Sequence, residues 1–245
     1  MQKSAHMSLY ASALGAEFSD FEEAARYALL QRLVPAIRHD VMGNFQSMVM
    51  LTAMLDRRLQ AAEPNLASLR ETCASLASAT RAAAGSSGDV MRWIEGKTST
   101  SLNFGAGLKE CLALLTTGLR FRGFVVVNEV SGIDADISSS ALRSVLCAAM
   151  LTLSDLSKAP AELIIRGHAT PERVELSLHL RPTEAGIIAS RPANYRPLGW
   201  RDVEILALAE SVNLTLVNGG AQLSFPRATA NQQDALINEN SVSAR

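Results

Sequence analysis

One stretch near the N-terminus decides how this chain is interpreted: Ile37-Arg38-His39-Asp40-Val41-Met42-Gly43-Asn44-Phe45-Gln46. It lies inside a long helical pattern in which apolar residues return every three or four positions. At about 100° per residue, these apolar residues form one stripe over several turns. The stripe consists of Leu30, Leu33, Ile37, Val41, Met48, Leu51, Leu55 and Leu59. His39 and Gln46 fall on the opposite side, so the pattern predicts that His39 points to solvent from a helix.

The same stripe predicts a quaternary arrangement. Ser19 and Glu22 have the spacing of a capping box, and a turn signal follows near Pro64, so we predict a helical hairpin over residues 19–96. Pro35 predicts a kink or a new helix start. One partner helix cannot cover so long a stripe, so we expect two hairpins to form a dimeric four-helix bundle. Asn44 lies within the stripe and is expected to set its register.

In the second half of the chain the spacing of the apolar residues changes. A Ser- and Thr-rich segment, 97–103, is predicted as a linker. Beyond it, helical patterns alternate with short β-branched runs, which predicts an α+β domain with helices packed on one mixed sheet. The predicted helices are 107–119, 138–154 and 201–212, and the predicted strands are 124–130, 162–166, 174–180, 214–217 and 222–225. We place this domain at 104–227 and predict that the polar tail 228–245 is disordered.

Composition excludes several classes of protein. The chain has 245 residues, 48% of them hydrophobic and 19% charged, with a net charge of −1, so a nucleic-acid partner is not expected. The longest apolar run, 145–151, is far shorter than the ~20 residues of a membrane span, and no signal peptide is evident. We therefore expect a cytoplasmic protein without membrane contact. The three cysteines have no metal-ligand spacing, so no metal site is expected, and we expect all three to be reduced, buried thiols.

The residues around His39 favour a role for its ring as a nucleophile. A neutral imidazole is a good nucleophile, and a carboxylate such as Asp40 can accept a hydrogen bond from one ring nitrogen while the other attacks. Gly43, one turn later, removes a side chain where an incoming group must approach. Met42, Met50 and Met54 offer soft, adaptable side chains suited to a partner protein, and we expect Met42, Gly43, Gln46 and Met50 to bind that partner. A histidine on a helix surface is more often an ordinary polar residue, so the hypothesis depends on these neighbours.

Residues 38–46 resemble the H-box of the dimerisation and histidine-phosphotransfer domain of bacterial two-component histidine kinases. The resemblance implies that His39 is the phosphorylated histidine and that Asp40 is its adjacent acid. Gly43 stands where many of these kinases have Asn or Thr, a residue that assists dephosphorylation. The resemblance therefore does not extend to phosphatase activity through this position.

The second half is similar in order and spacing to the ATPase domain of the same kinases. Residues 142–152 occupy the place of the helix that carries the N-box, and 200–212 resemble the final helix. The residues that bind nucleotide in that family are missing, because Ala148 and Thr152 replace the N-box asparagines and 181–186 replace the Asp-x-Gly-x-Gly loop. We therefore expect a degenerate ATPase-like α/β sandwich that lacks the oxygen ligands of a magnesium–ATP site.

Together the two halves resemble the dimeric histidine phosphotransferases of bacterial phosphorelays. This implies that His39 carries a phosphoryl group between receiver aspartates, with no cofactor of its own and Mg²⁺ supplied by the receiver. The implied partners are response-regulator receiver domains, an upstream hybrid histidine kinase and a second copy of the chain. Three alternatives stay open: a pseudokinase scaffold that binds response regulators or a histidine kinase without carrying phosphate, a divergent active kinase, and an unrelated helical interaction protein.

Overall fold

The computed structural model describes residues 2–94, 100–157, 160–183 and 196–228. The chain divides into two compact units, Leu33–Gly96 and a second unit that combines Met1–Arg32 with Lys97–Arg245. The first helix contributes to both units, so its N-terminal part is counted with the C-terminal half of the chain. We call these the hairpin unit and the α/β unit.

Two long helices form the hairpin pattern, α1 (Gln2–Leu59) and α2 (Leu66–Ile94). The expectation of a helix start at Ser19 was wrong, because α1 begins well before it. The residues ahead of Ser19 are rich in Ala, Leu and Met, which favour helix, so a local capping signal does not stop the helix. Pro35 lies inside α1 without a new start, and α2 continues through the glycines of 85–88.

Polar side chains join the two helices of the hairpin unit. Asn65 accepts a hydrogen bond from the Ser68 backbone N–H at 3.1 Å and so caps the start of α2. Arg58 donates to the Ser68 carbonyl at 2.9 Å and to the Thr72 hydroxyl. Farther along, Asn44 donates its amide N–H to the Ser86 hydroxyl at 2.8 Å. The polar residue of the apolar stripe is thus engaged by the facing helix.

The α/β unit alternates helices and strands. Its elements, in chain order, are β1 (Ser101–Asn103), α3 (Phe104–Phe121), β2 (Phe124–Asn128), β3 (Asp136–Ser138), α4 (Ser139–Ala141), a π-helical turn (Leu142–Leu146), α5 (Cys147–Leu156), β4 (Ala161–Ala169), β5 (Arg173–Pro182), α6 (Trp200–Ala209), β6 (Asn213–Val217) and β7 (Gly220–Pro226). Asn103 caps α3 by accepting a hydrogen bond from the Ala106 N–H at 3.3 Å.

Five strands form one sheet in the order β2-β4-β5-β7-β6. The β2–β4 pair is parallel and the other three are antiparallel, so the predicted mixed sheet and α+β class are confirmed. A second, two-stranded sheet pairs β1 with β3, where the sequence predicted a linker. Three-residue strands carry too little alternation to be recognised in a sequence. Residues 97–99 of the predicted linker, like 95–96 at the end of the predicted hairpin, lie outside the described residues.

The core of the α/β unit lies between one face of the five-stranded sheet and the helices. Alternate strand residues point inward, as the two-residue period requires, and they meet the apolar faces of α3 and α5. The largest fully buried side chains of this core include Phe104, Leu119, Leu142, Leu146, Met150, Leu163, Ile165, Leu176, Leu178 and Phe225.

The cysteines differ in exposure. Cys111 and Cys147 are buried, as expected, whereas Cys73 is exposed on α2, so the expectation was wrong for that residue. Burial raises the pKa of the Cys147 thiol, and the hydrogen bond with Cys111 raises it further. The Cys147 thiol therefore stays protonated, and both buried cysteines pack as small apolar side chains.

In the parts of the chain that the structure describes, every helix is too short or too polar to cross a bilayer.

At the start of the predicted tail, Ala228 donates its N–H to the Asp136 carbonyl at 2.7 Å. The rest of the predicted tail, from residue 229 onward, lies outside the described residues.

Candidate functional site

His39 lies in the interior of α1 and its side chain is exposed. Among the residues that the structure describes, no side chain forms a hydrogen bond with its ring. The backbone of an interior helical residue is held by the helix hydrogen bonds, so the ring extends from a rigid base. A ring that is exposed and not engaged keeps its nucleophilic nitrogen accessible to another molecule.

Asp40 is exposed beside His39. Consecutive helical residues point about 100° apart, so the carboxylate lies next to the ring on the helix surface rather than behind it. Within the described part of the chain, Asp40 does not hydrogen-bond the imidazole, in contrast to the arrangement suggested by the sequence.

The other site residues named from the sequence lie on the same side of α1. By helical geometry Gly43, Gln46 and Met50 fall within about 40° of His39, and Met42 is within about 60°. Met42 and Met50 are each 59% exposed. A Cβ atom placed on Gly43 would meet no atom of the described residues within 4 Å beyond its own helix backbone and chain neighbours. The structure therefore groups all these residues around an open surface.

Sequence reasoning missed two apolar residues beside this surface. Phe45 is 46% exposed and Val49 is 69% exposed. They are one helical turn apart, and with Met42 they form an apolar face adjacent to His39. The signal was present in the sequence, since both residues are large and apolar and lie off the predicted stripe. We call Met42, Phe45 and Val49 the apolar rim.

Apart from the buried Leu33, the apolar stripe is only half-buried in the hairpin unit. Ile37, Val41, Met48, Leu51 and Leu55 keep intermediate exposure, and Leu59 is 56% exposed. A stripe that packs fully against its surroundings loses nearly all its solvent contact, as core residues of the α/β unit do. The facing helix α2 thus leaves apolar surface on α1 uncovered.

In the α/β unit, the two positions that the sequence resemblance aligns with the N-box asparagines both lie on α5. Ala148 and Thr152 are completely buried. The Thr152 hydroxyl oxygen has no hydrogen-bond partner among the described residues. An alanine methyl and a buried threonine hydroxyl do not form the set of oxygen ligands that Mg²⁺ requires.

Asp155, one turn beyond Thr152, is held by two arginines. Its Oδ1 lies 2.8 Å from Arg32 Nη2 and 2.7 Å from Arg122 Nη2. Two guanidinium groups repel a metal cation and occupy the carboxylate that could bind it. Within the described ranges, no cluster of three or more His, Cys, Asp or Glu side chains could hold a metal ion. In the predicted Asp-x-Gly-x-Gly position, residues 184–186 lie outside the described residues.

No protein-family model matches the chain, and no curated protein matches its sequence. Among solved structures, the chain is similar to the Acinetobacter baumannii histidine kinase AdeS, with 13% identity and a TM-score of 0.40 over 74% of this chain and 95% of that one. It is similar to a histidine kinase from Burkholderia phymatum, with 10% identity and a TM-score of 0.40 over 78% and 96% of the two chains. It is also similar to a bacterial phosphotransferase, with 13% identity and a TM-score of 0.35 over 80% and 95%.

Proposed function

We propose that this chain is a histidine phosphotransferase of a two-component phosphorelay, and that His39 carries a phosphoryl group between receiver aspartates of response regulators. The observation that carries the proposal is the His39 ring, exposed and not hydrogen-bonded by any described side chain, beside open space at Gly43. The resemblance of residues 38–46 to the H-box implies that this exposed ring is the one that is phosphorylated.

The proposed reaction needs no nucleotide. One nitrogen of the neutral imidazole attacks the phosphorus of a receiver's aspartyl phosphate, so that a P–N bond forms. The acyl P–O bond breaks, and the electron pair leaves with the aspartate carboxylate. Attack by the aspartate of a second receiver reverses these steps and restores His39. Asp40 would stabilise the positive charge that develops on the ring, and each receiver would supply the Mg²⁺ that its own chemistry requires.

The composition of the α/β unit bears on the source of the phosphate. Ala148 has no oxygen side-chain ligand for magnesium–ATP, the Thr152 hydroxyl is buried, and the nearby Asp155 is engaged by arginines. We therefore propose that phosphate enters from a phosphorylated protein rather than from ATP. Residues Gly43, Gln46 and Met50 and the apolar rim would form the docking surface for receivers, with an upstream hybrid histidine kinase as a further partner.

The test follows labelled phosphate. A panel of receiver domains, each phosphorylated with labelled acetyl phosphate, is incubated with the full chain. We expect acid-labile label on the wild type and none on His39→Gln. His168→Gln is the matched control, because His168 is also an exposed histidine but lies on β4 of the α/β unit. That variant is expected to be labelled like the wild type.

Other outcomes would separate the alternatives. Equal receiver binding by wild type and His39→Gln, with no label on either, contradicts the carrier function and favours a non-catalytic scaffold. Label on His39→Gln equal to that on the wild type places the phosphate elsewhere. Label acquired from ATP without any receiver contradicts the proposal that the chain has no working nucleotide site.

A further inference from the structure

The N-terminal part of α1 makes polar contacts with residues that lie far away in the sequence. We call residues 17–32 the arm; they belong to the α/β unit together with α5 and α6. One face of the arm carries Glu22, Ala25, Arg26, Leu29 and Arg32 at helical spacing. Ala25 is completely buried, Leu29 is 4% exposed and Glu22 is 7% exposed. This face is therefore buried inside the α/β unit.

The first ionic contact joins the arm to the end of α5. Arg32 donates to Asp155, and the same carboxylate oxygen also binds Arg122. Arg122 is fixed in turn by Ser154, through its hydroxyl at 2.9 Å and its carbonyl at 3.0 Å. The Asp155 side chain is 1% exposed and the Arg32 side chain 9%. A charge buried to this degree is costly without a partner, so Asp155 depends on the arginines.

The second ionic contact joins the arm to the residue that ends α6. Arg26 Nη2 lies 2.6 Å from Glu210 Oε1, and Arg26 Nε lies 2.9 Å from Glu22 Oε1. The Ser140 hydroxyl donates to the same Glu210 oxygen. A cation–π contact adds to this interface, because the Arg201 guanidinium lies 5.1 Å from the centre of the Phe21 ring.

We infer that the α/β unit functions as an anchor for the arm of α1, and that the two carboxylates Asp155 and Glu210 are the attachment points. Both lie on the helical layer of the unit, at the ends of α5 and α6. A helix bound at both Arg26 and Arg32 is fixed along its length and about its axis. The inference goes beyond phosphotransfer and does not require His39 to carry phosphate.

Hydrogen–deuterium exchange of the full chain tests this inference. In the double variant Arg26→Gln/Arg32→Gln, the amides of 17–32 are expected to exchange about 10- to 100-fold faster, because broken buried ion pairs favour local opening. The amides of β4, β5 and β7 are expected to keep their wild-type rates. Arg120→Gln is the control, since Arg120 is an exposed arginine of α3 in the same unit.

A further measurement keeps the test decisive. Glu210→Gln removes one attachment point from the other side and is expected to speed exchange in the arm as Arg26→Gln does. Wild-type arm exchange in the double variant, or an equal acceleration in the sheet, would overturn the anchor.

Discussion

At the scale of single residues, Gly43 could matter for two reasons: its effect on helix stability, and the space it leaves for an approaching receiver. Gly43 of α1 and Gly85 of α2 are both helical, and a Cβ atom added to either would meet no described atom within 4 Å beyond its own helix. Their shared surroundings make them a matched pair, because any difference between them reports on function rather than on helix stability.

Replacing either glycine by alanine is expected to stabilise the protein by about 1 kcal/mol, since glycine is the poorer helix former. Urea denaturation measures this gain. For transfer, we expect Gly43→Leu to slow labelling of His39 about tenfold or more, because a side chain there obstructs approach of the receiver. Gly85→Leu is expected to leave the rate unchanged. Equal effects of the two leucine variants would contradict a docking role for Gly43.

At the scale of elements, helix α6 begins with a charged cap. Asp202 accepts the Gly199 N–H at 2.9 Å and binds Arg196 through both oxygens, at 2.7 and 2.8 Å. Burial opposes ionisation of Asp202, but the hydrogen bonds from Arg196 and Gly199 outweigh it, so the pKa of this carboxyl is below its usual range. The folded state thus binds this proton more weakly than the unfolded state.

This lowered pKa makes the stabilisation by Asp202 depend on pH. The contribution is fully present above the unfolded-state pKa of about 3.9 and is lost as the pH falls through the lower folded-state pKa. We expect Asp202→Asn to reduce the free energy of unfolding by about 1 kcal/mol at pH 7 and by less near pH 3. Urea denaturation at both pH values measures it, with Glu204→Gln of the same helix as control. A loss of equal size at both pH values would contradict this assignment.

At the same scale, the hydrogen bond from Asn44 to Ser86 explains how a polar residue is tolerated in the apolar stripe. A half-buried amide costs free energy unless it finds a partner, and the facing helix provides one. The pair also ties α1 to α2 in the observed register.

At the scale of the whole molecule, the half-buried stripe of α1 predicts self-association. We expect sedimentation at micromolar concentration to give twice the chain mass of 26.2 kDa. Leu55→Glu places a charge in the stripe and is expected to yield monomers, whereas Ala53→Glu, on the exposed opposite side, is expected to stay dimeric. A monomeric wild type would contradict the four-helix bundle.

Much of this architecture could be read from local patterns. The stripe of α1 predicted a helix that leaves His39 exposed, and β-branched runs predicted the strands near 124–130, 174–180 and 214–217. Periodicity suffices for such features because burial of one face depends only on residue spacing within the element. The same local view failed at Ser19, where the capping signal lies inside a longer helix, and at the short β1–β3 pair.

By itself, then, the sequence determined where most of the helices and strands lie and the exposed position of His39, since each depends on neighbours within a few turns. Only the tertiary structure decided what the arm touches. Arg32 and Asp155 are 123 residues apart, and Arg26 and Glu210 are 184 apart. An isolated arginine on a helix gives no sign of a distant carboxylate. A buried charge is costly without a partner. These pairs therefore form only when the folded chain brings the distant charges together.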